Sequence, residues 1–328
     1  MAEVLRLRAA DRWGDDVVLA EPPSSVGAGF DSYIHLIQMR GGALPDDWRA
    51  PLVVRLLPSV DREAQAHREA EAQTWSASVG YPAPRVLEVL GADDGFGLPA
   101  QVMERALGTT MLDALTARPW RAFGLVDQLA RLQLRLHALD AADWPGSTDA
   151  GDLAAHRLSL PRQVATELDD AGLTGALRRA EELLPLAASG PAVICHGDFH
   201  PLNVMVDGST ASVIDWTDSG LGPREADVAR TLLLFHIAAI AATSSVERIA
   251  LRVIGPRLAR RYRPIYEAEA ALDPDRMRAW EALHAIHGWS QILTLHAGGF
   301  DGESSSDSGR VPIGVATYLQ RRFEDAAG

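Results

Sequence analysis

Along the first hundred residues, short apolar, β-branched runs alternate with turn residues. Residues 33–38 form one such run and residues 51–57 (P-L-V-V-R-L-L) another, the pattern of a buried strand. The spacing predicts a helix over 61–78, with Asp61 placed to cap its start and Gly80 to stop it. Two more strands are expected over 85–90 and 98–104, and V-G-A-G-F at 26–30 reads as a glycine-containing turn. Near Thr110 the pattern changes. Leucines recur at helical spacing over 121–139, and 160–186 reads as one or two further helices. Short strands return at 192–195, 203–206 and 212–216, joined by tight turns. Helices resume at Arg224 and fill the rest, interrupted by a Gly-, Ser- and Asp-rich loop at 298–309 that is expected to be a lid or plain solvated chain.

At 328 residues the chain is long enough for two domains or two lobes, and 47% apolar content allows a sizeable core. Its 31 basic and 44 acidic residues give a net charge of −13. That balance argues against a nucleic-acid or anionic-membrane partner, since both need basic patches. It suits a cationic substrate, and equally a surface kept acidic for solubility. The basic set is more decisive: it is all arginine, with no lysine. A Walker-type phosphate loop and Schiff-base chemistry on a lysine amine are therefore both excluded. The single cysteine, Cys195, rules out an internal disulfide and a cysteine-rich zinc site. The first twenty residues lack the apolar centre of a signal peptide, and the longest apolar stretch, 232–242, is too short to span a bilayer. A cytoplasmic protein is the expectation.

Residues 193–216 (V-I-C-H-G-D-F-H-P-L-N-V-M-V-D-G-S-T-A-S-V-I-D-W) carry the chemistry. Phosphoryl transfer to an alcohol needs a carboxylate to orient the attacking hydroxyl, oxygen ligands for Mg²⁺ and positive charge on the phosphates. Asp198 follows an apolar strand and can serve as the catalytic base. Asn203, five residues on, offers an amide oxygen to a hard cation, and Asp215, 17 residues past Asp198, offers a carboxylate that can bridge metal and phosphates. The competing reading makes each of these a turn former. His196 and His200, four apart, invite a zinc reading, but Gly197 and Pro201 oppose the helix it needs and the glutamate of H-E-x-x-H is missing. Cys195 reads as a small buried hydrophobe.

This segment resembles the aminoglycoside phosphotransferase and choline kinase families, which carry H-G-D-x-x-x-x-N followed by I-D-W/F. Here the match is His196-Gly197-Asp198, Asn203 and Ile214-Asp215-Trp216. It continues into Gly222-Pro223-Arg224-Glu225-Ala226-Asp227-Val228-Ala229, similar to a G-x-P-x-x-D-L-A helix start. It departs there at Arg224, where the family has proline, with Pro223 one residue early. The similarity covers roughly 24–235. It implies an α+β, two-lobed protein-kinase-like fold, with a small β-rich lobe over 1–106 and a larger, mainly helical lobe over 107–328. It also implies a phosphotransferase, monomeric or homodimeric, moving the γ-phosphoryl group of ATP or GTP, with Mg²⁺, to a hydroxyl of a small molecule. Asn203 and Asp215 would be the metal ligands, and Asp227 a buried buttress of the catalytic loop.

By the same resemblance Arg55, at the end of L-V-V-R, takes the place of the lysine that holds the nucleotide phosphates. Its partner would be Glu69, with Glu71 as the alternative. Gly27 and Gly29 would let a loop approach the phosphates, and 103–106, including Glu104 and Ala106, would form a hinge whose backbone holds adenine. An aminoglycoside-like antibiotic or related metabolite is the expected acceptor. A macrolide or other natural product is an alternative, for which Trp280, Trp289 and Phe300 could line a pocket. Two further readings are a relative that binds nucleotide without catalysis, given the missing lysine, and a zinc hydrolase.

Overall fold

The computed structural model describes residues 1–29, 32–146, 150–241, 245–297 and 313–328. The chain forms two compact units. One comprises Met1–Thr109 with Met205–Thr217, the other Thr110–Val204 with Asp218–Gly328. The first unit is therefore not one continuous stretch: 205–217, assigned from the sequence to the helical lobe, is counted with the strands.

The first unit is built on a five-stranded antiparallel sheet in the order Ser24–Gly29, Ser32–Ile37, Leu52–Leu56, Ala100–Glu104, Val86–Leu90. Strand Leu52–Leu56 lies in the middle, and its alternation decides the faces. Leu52, Val54 and Leu56 are buried in a core with Ile37, Ala100 and Val102, and Arg55 points to the opposite face. Against that core packs helix Ala2–Trp13 through Leu5, Ala9 and Ala10, an element absent from the strand pattern read over the first hundred residues.

Helix Glu63–Ser78 buries Ala66, Glu69, Ala70, Ala72 and Gln73. Gln101 from the sheet donates to the Ala66 carbonyl at 2.8 Å, and Gln73 donates to the Pro84 carbonyl at 2.6 Å. Asp61 does not cap this helix. A 3-10 turn, Val60–Arg62, comes first, and Asp61 instead accepts from Ser59. Gly80 follows the helix end at φ +82°, a left-handed conformation that glycine adopts without a Cβ penalty. The glycine segment at 26–30 is not a free turn: Ser24–Gly29 is a strand with a bulge between Ser25 and Ala28, while Phe30 and Asp31 lie outside the described residues.

The second unit is mainly helical. Ala122–His137, Ala150–Arg157, Arg224–Ala241 and Ser245–Glu267 are the helices that bear on the site. Strand Ala192–Cys195 pairs antiparallel with Gly220–Pro223, a strand not read from the sequence because G-L-G-P lacks β-formers. A Cβ on Gly222 would press into the Leu153 side chain, whereas one on Gly220 would meet it at ordinary contact distance. No helix among the described residues is long and apolar enough to cross a membrane. The 298–309 loop and Phe300 lie outside the described residues.

Candidate active site

In the second unit, the chain leaves strand Ala192–Cys195 and enters the loop His196–Asn203. The first two turns of helix Arg224–Ala241 hold that loop. Asp227, fully buried, accepts from the backbone amides of His196 at 2.8 Å and Gly197 at 2.6 Å. His137 Nε2 donates to the same carboxylate at 3.1 Å, while its Nδ1 accepts from the Tyr266 hydroxyl at 2.5 Å. Burial alone would push the Asp227 carboxyl up, but these donors, His137 foremost, hold it below the ordinary carboxylate value. Burial also pushes the neighbouring Cys195 thiol well up, so it is an inert packing group. His137, Cys195 and Asp227 lie close enough together for a metal, yet the His137 ring and the Asp227 carboxylate are already engaged as described.

Gly197 sits at φ +81° against the Asp218 carbonyl, and a Cβ there would drive into that backbone. Its own carbonyl accepts from Arg157 Nη2 at 2.6 Å, and Arg157 Nη1 donates to Asp218 at 2.7 Å. Arg157 is 1% exposed, so removing it would leave Asp218 and a loop carbonyl short of a donor.

This scaffold presents Asp198 with its side chain 26% exposed. One carboxylate oxygen accepts from Arg230 Nε at 2.9 Å and the other from His200 Nε2 at 3.0 Å. His200 Nδ1 accepts from the Leu202 amide at 3.2 Å, which fixes the tautomer that donates to Asp198. Burial would raise the Asp198 carboxyl, but the charges of Arg230, His200 and Arg157 hold it well below the usual carboxylate range. Asn203, 8% exposed, donates through Nδ2 to the Asp198 carbonyl at 3.0 Å, which leaves its amide oxygen as the atom for a cation. His196 is fully buried and packs edge-on to Phe199, so it and His200 serve the loop separately and not as a zinc pair.

In the first unit, the Arg55 guanidinium contacts Glu69 Oε2 at 2.6 Å, Ser32 at 3.2 Å, Thr217 at 3.4 Å and Asp215 Oδ1 at 3.6 Å. Glu69 is 3% exposed and takes a further bond from Gln65 at 2.7 Å, whereas Glu71 is exposed. Asp215 has φ +65°, one of two non-glycine residues with positive φ among those described. Such a conformation costs about 1–2 kcal/mol for a residue with a Cβ. No helix end or turn glycine accounts for it, and strain of this kind gathers at functional positions. Thr217 donates to Asp215 Oδ1 at 2.7 Å, which steadies the carboxylate while leaving its side chain 43% exposed.

Glu104 and Ala106 line a cavity of about 220 Å³ together with Leu107 and Met205. The Glu104 side chain is itself tied to the Arg85 guanidinium and amide at 2.5–3.0 Å. Gly27 and Gly29 lie on the edge strand at and beyond its bulge. Sequence reasoning did not single out Arg157, Thr217 or Arg230 as site residues, and weighed His200 only as a zinc ligand. For Arg230 a signal existed: it follows Asp227 by three residues on one helix and so shares its face.

A strand-rich unit carrying Arg55 and Asp215, and a helical unit presenting Asp198 and Asn203 on a buttressed loop, define a protein-kinase-like fold. The profile of the phosphotransferase enzyme family matches residues 43–280. The chain belongs to this family and is a phosphotransferase. It is 30% identical over 212 residues to an aminoglycoside 3'-phosphotransferase of Streptomyces fradiae, covering 61% of this chain and 75% of that protein. Among solved structures, a thermostable mutant of aminoglycoside phosphotransferase APH(4)-Ia, in a ternary complex with AMP-PNP and hygromycin B, superposes with a TM-score of 0.63 at 18% identity, covering 98% of this chain and 97% of that one. An ethanolamine kinase of Plasmodium vivax does so with a TM-score of 0.56 at 14% identity, covering 96% and 83%. At these identities the two structures speak for the fold.

Proposed function

We propose that this enzyme transfers the γ-phosphoryl group of a nucleoside triphosphate, ATP or GTP, to a hydroxyl of an aminoglycoside-like antibiotic or a related metabolite. The observation that carries this reading is Asp198, an ionised carboxylate held by Arg230, His200 and, more distantly, Asn203 Nδ2, and still partly open to solvent. A carboxylate accepts up to four hydrogen bonds, so a lone pair remains on Asp198 for a substrate hydroxyl. The hydroxyl oxygen forms the new bond to phosphorus as the bond to the nucleoside diphosphate oxygen breaks, and the proton leaves toward Asp198. Because the transition state is loose, orientation of the hydroxyl matters more than strong basicity, which suits a carboxylate held well below its usual range.

Asn203 in one unit and Asp215 in the other each offer a hard oxygen of the kind Mg²⁺ takes, an amide oxygen and a partly exposed carboxylate. When bound, the ion would neutralise phosphate charge. Arg55 is proposed to grip the nucleotide phosphates while Glu69 orients it, and the backbone at Glu104–Ala106 to hold the base, with Gly27 and Gly29 near the phosphates. A planar fork can do for phosphate what a lysine does as a point charge, with different geometry. The Streptomyces relative and the hygromycin complex support the acceptor class, and AMP-PNP in that complex supports the nucleotide. The test is a panel of aminoglycosides, macrolides and small alcohols with Mg-ATP or Mg-GTP, followed for a mass gain of one phosphoryl group. No gain on any acceptor, with pure folded enzyme, would contradict the proposal.

A further inference from the structure

Helix Arg224–Ala241 meets the catalytic loop with three side chains at i, i+3 and i+4 spacing: Asp227, Arg230 and Thr231. Two of them address backbone. Asp227 takes the amides of His196 and Gly197, and Thr231 Oγ1 donates to the Phe199 carbonyl at 2.6 Å. Arg230 alone reaches a side chain that would touch substrate, through Nε to Asp198 Oδ1 at 2.9 Å. Its side chain is 12% exposed. An ion pair with that much desolvation contributes little net stability compared with apolar residues of the same shape, so packing alone is a poor reason for it.

We infer that Arg230 is a positioning residue for phosphoryl transfer: it fixes the Asp198 carboxylate in the orientation that aims an acceptor hydroxyl. The contact is side-on, from Nε, and it turns one oxygen of Asp198 toward the helix. His200 holds the other oxygen from within the loop. With both in place the carboxylate plane cannot rotate about χ2. Without Arg230 only contacts to the other oxygen would remain, from His200 at 3.0 Å and Asn203 Nδ2 at 3.4 Å, so the carboxylate could swing about that oxygen and the hydroxyl would lose its aim. A lysine ammonium lacks the Nε donor part-way along the side chain, so it would restore charge but not direction. This rests on Asp198 being the acceptor-side carboxylate of the proposed reaction.

The experiment compares Arg230→Ala and Arg230→Lys with wild type, using an acceptor the wild type phosphorylates. Initial rates are measured against acceptor and nucleotide separately, with thermal melting alongside. Arg230→Ala is expected to lower kcat about a hundredfold, the usual loss for a misplaced catalytic group, with KM for nucleotide within about threefold and melting temperature little changed. Added guanidinium should restore part of the rate to Arg230→Ala and none to Arg230→Lys, whose ammonium fills the site. Unchanged kcat in Arg230→Ala would overturn the inference. So would a raised acceptor KM at constant kcat, which would make Arg230 an acceptor contact. A loss without guanidinium rescue and with a lowered melting point would make it merely structural, and overturn it too. If the wild type phosphorylates nothing in the panel, the functional reading itself fails, and this inference with it.

Discussion

Replacing Asp227 by asparagine removes one charge and one acceptor from a fully buried site that serves three donors. The native carboxylate takes two backbone amides, at 2.6 and 2.8 Å, and His137 at 3.1 Å. Asparagine has one acceptor oxygen, and its amide group would have to face an N–H. Each hydrogen bond to a charged group contributes roughly 1.5–3 kcal/mol, and a buried donor left unpaired costs about 1–3 kcal/mol. One such bond lost and one donor orphaned give about 3–5 kcal/mol. For a unit of this size that lowers the melting temperature by roughly 6–20 °C.

The effect has a pH signature. The folded carboxyl titrates below its ordinary value, so its stabilising contribution is fully present above the usual carboxylate range and is lost as pH falls through the folded value. The gap between wild type and Asp227→Asn is therefore widest near neutrality and narrows on acidification. Differential scanning calorimetry at several pH values measures it. A variant melting within about 2 °C of wild type at pH 7, a loss under about 1 kcal/mol, would refute the assignment of Asp227 as the buttress.

Arg55→Ala should lower kcat/KM for nucleotide about ten- to a thousandfold while acceptor binding changes little, and Arg55→Lys should recover only part. Glu69→Ala should cause a milder loss of the same kind, and the double variant should fall short of additivity; additive losses, read from a double-mutant cycle, would separate the pair. Asp215→Ala should abolish the Mg²⁺ dependence of nucleotide binding in calorimetric titration, and Asn203→Ala should weaken it less, since the amide is a neutral ligand. Identical titrations of wild type and Asp215→Ala would count against both as metal ligands.

Legibility from sequence followed the range of the interactions involved. Asp198, Asn203 and Asp215 stand out because their spacing is local and their neighbours are apolar strands. The family resemblance pairs Arg55 with Glu69, and the two lie 2.6 Å apart. Helix Ala2–Trp13 escaped notice because its apolar stripe is thin: Leu5, Ala9 and Ala10 among five charged residues. Strand Gly220–Pro223 has no strand-forming residues and exists by pairing with Ala192–Cys195. Asp61 looked like a cap, yet the 3-10 turn at Val60–Arg62 moves the helix start past it. The Arg157 contacts with Gly197 and Asp218 span 40 and 61 residues, and no local pattern announces them. The left-handed backbone of Asp215 is likewise invisible in the residue order.

The central claim is that Asp198 acts on the acceptor and not on the nucleotide. The most direct measurement pairs mass-gain turnover on a phosphorylated acceptor with Mg-nucleotide affinity, in wild type and Asp198→Asn. The substitution preserves shape and removes the charge that aims the hydroxyl. Turnover should fall by about a thousandfold or more while nucleotide affinity stays within about threefold. Turnover near wild type in Asp198→Asn would contradict the account.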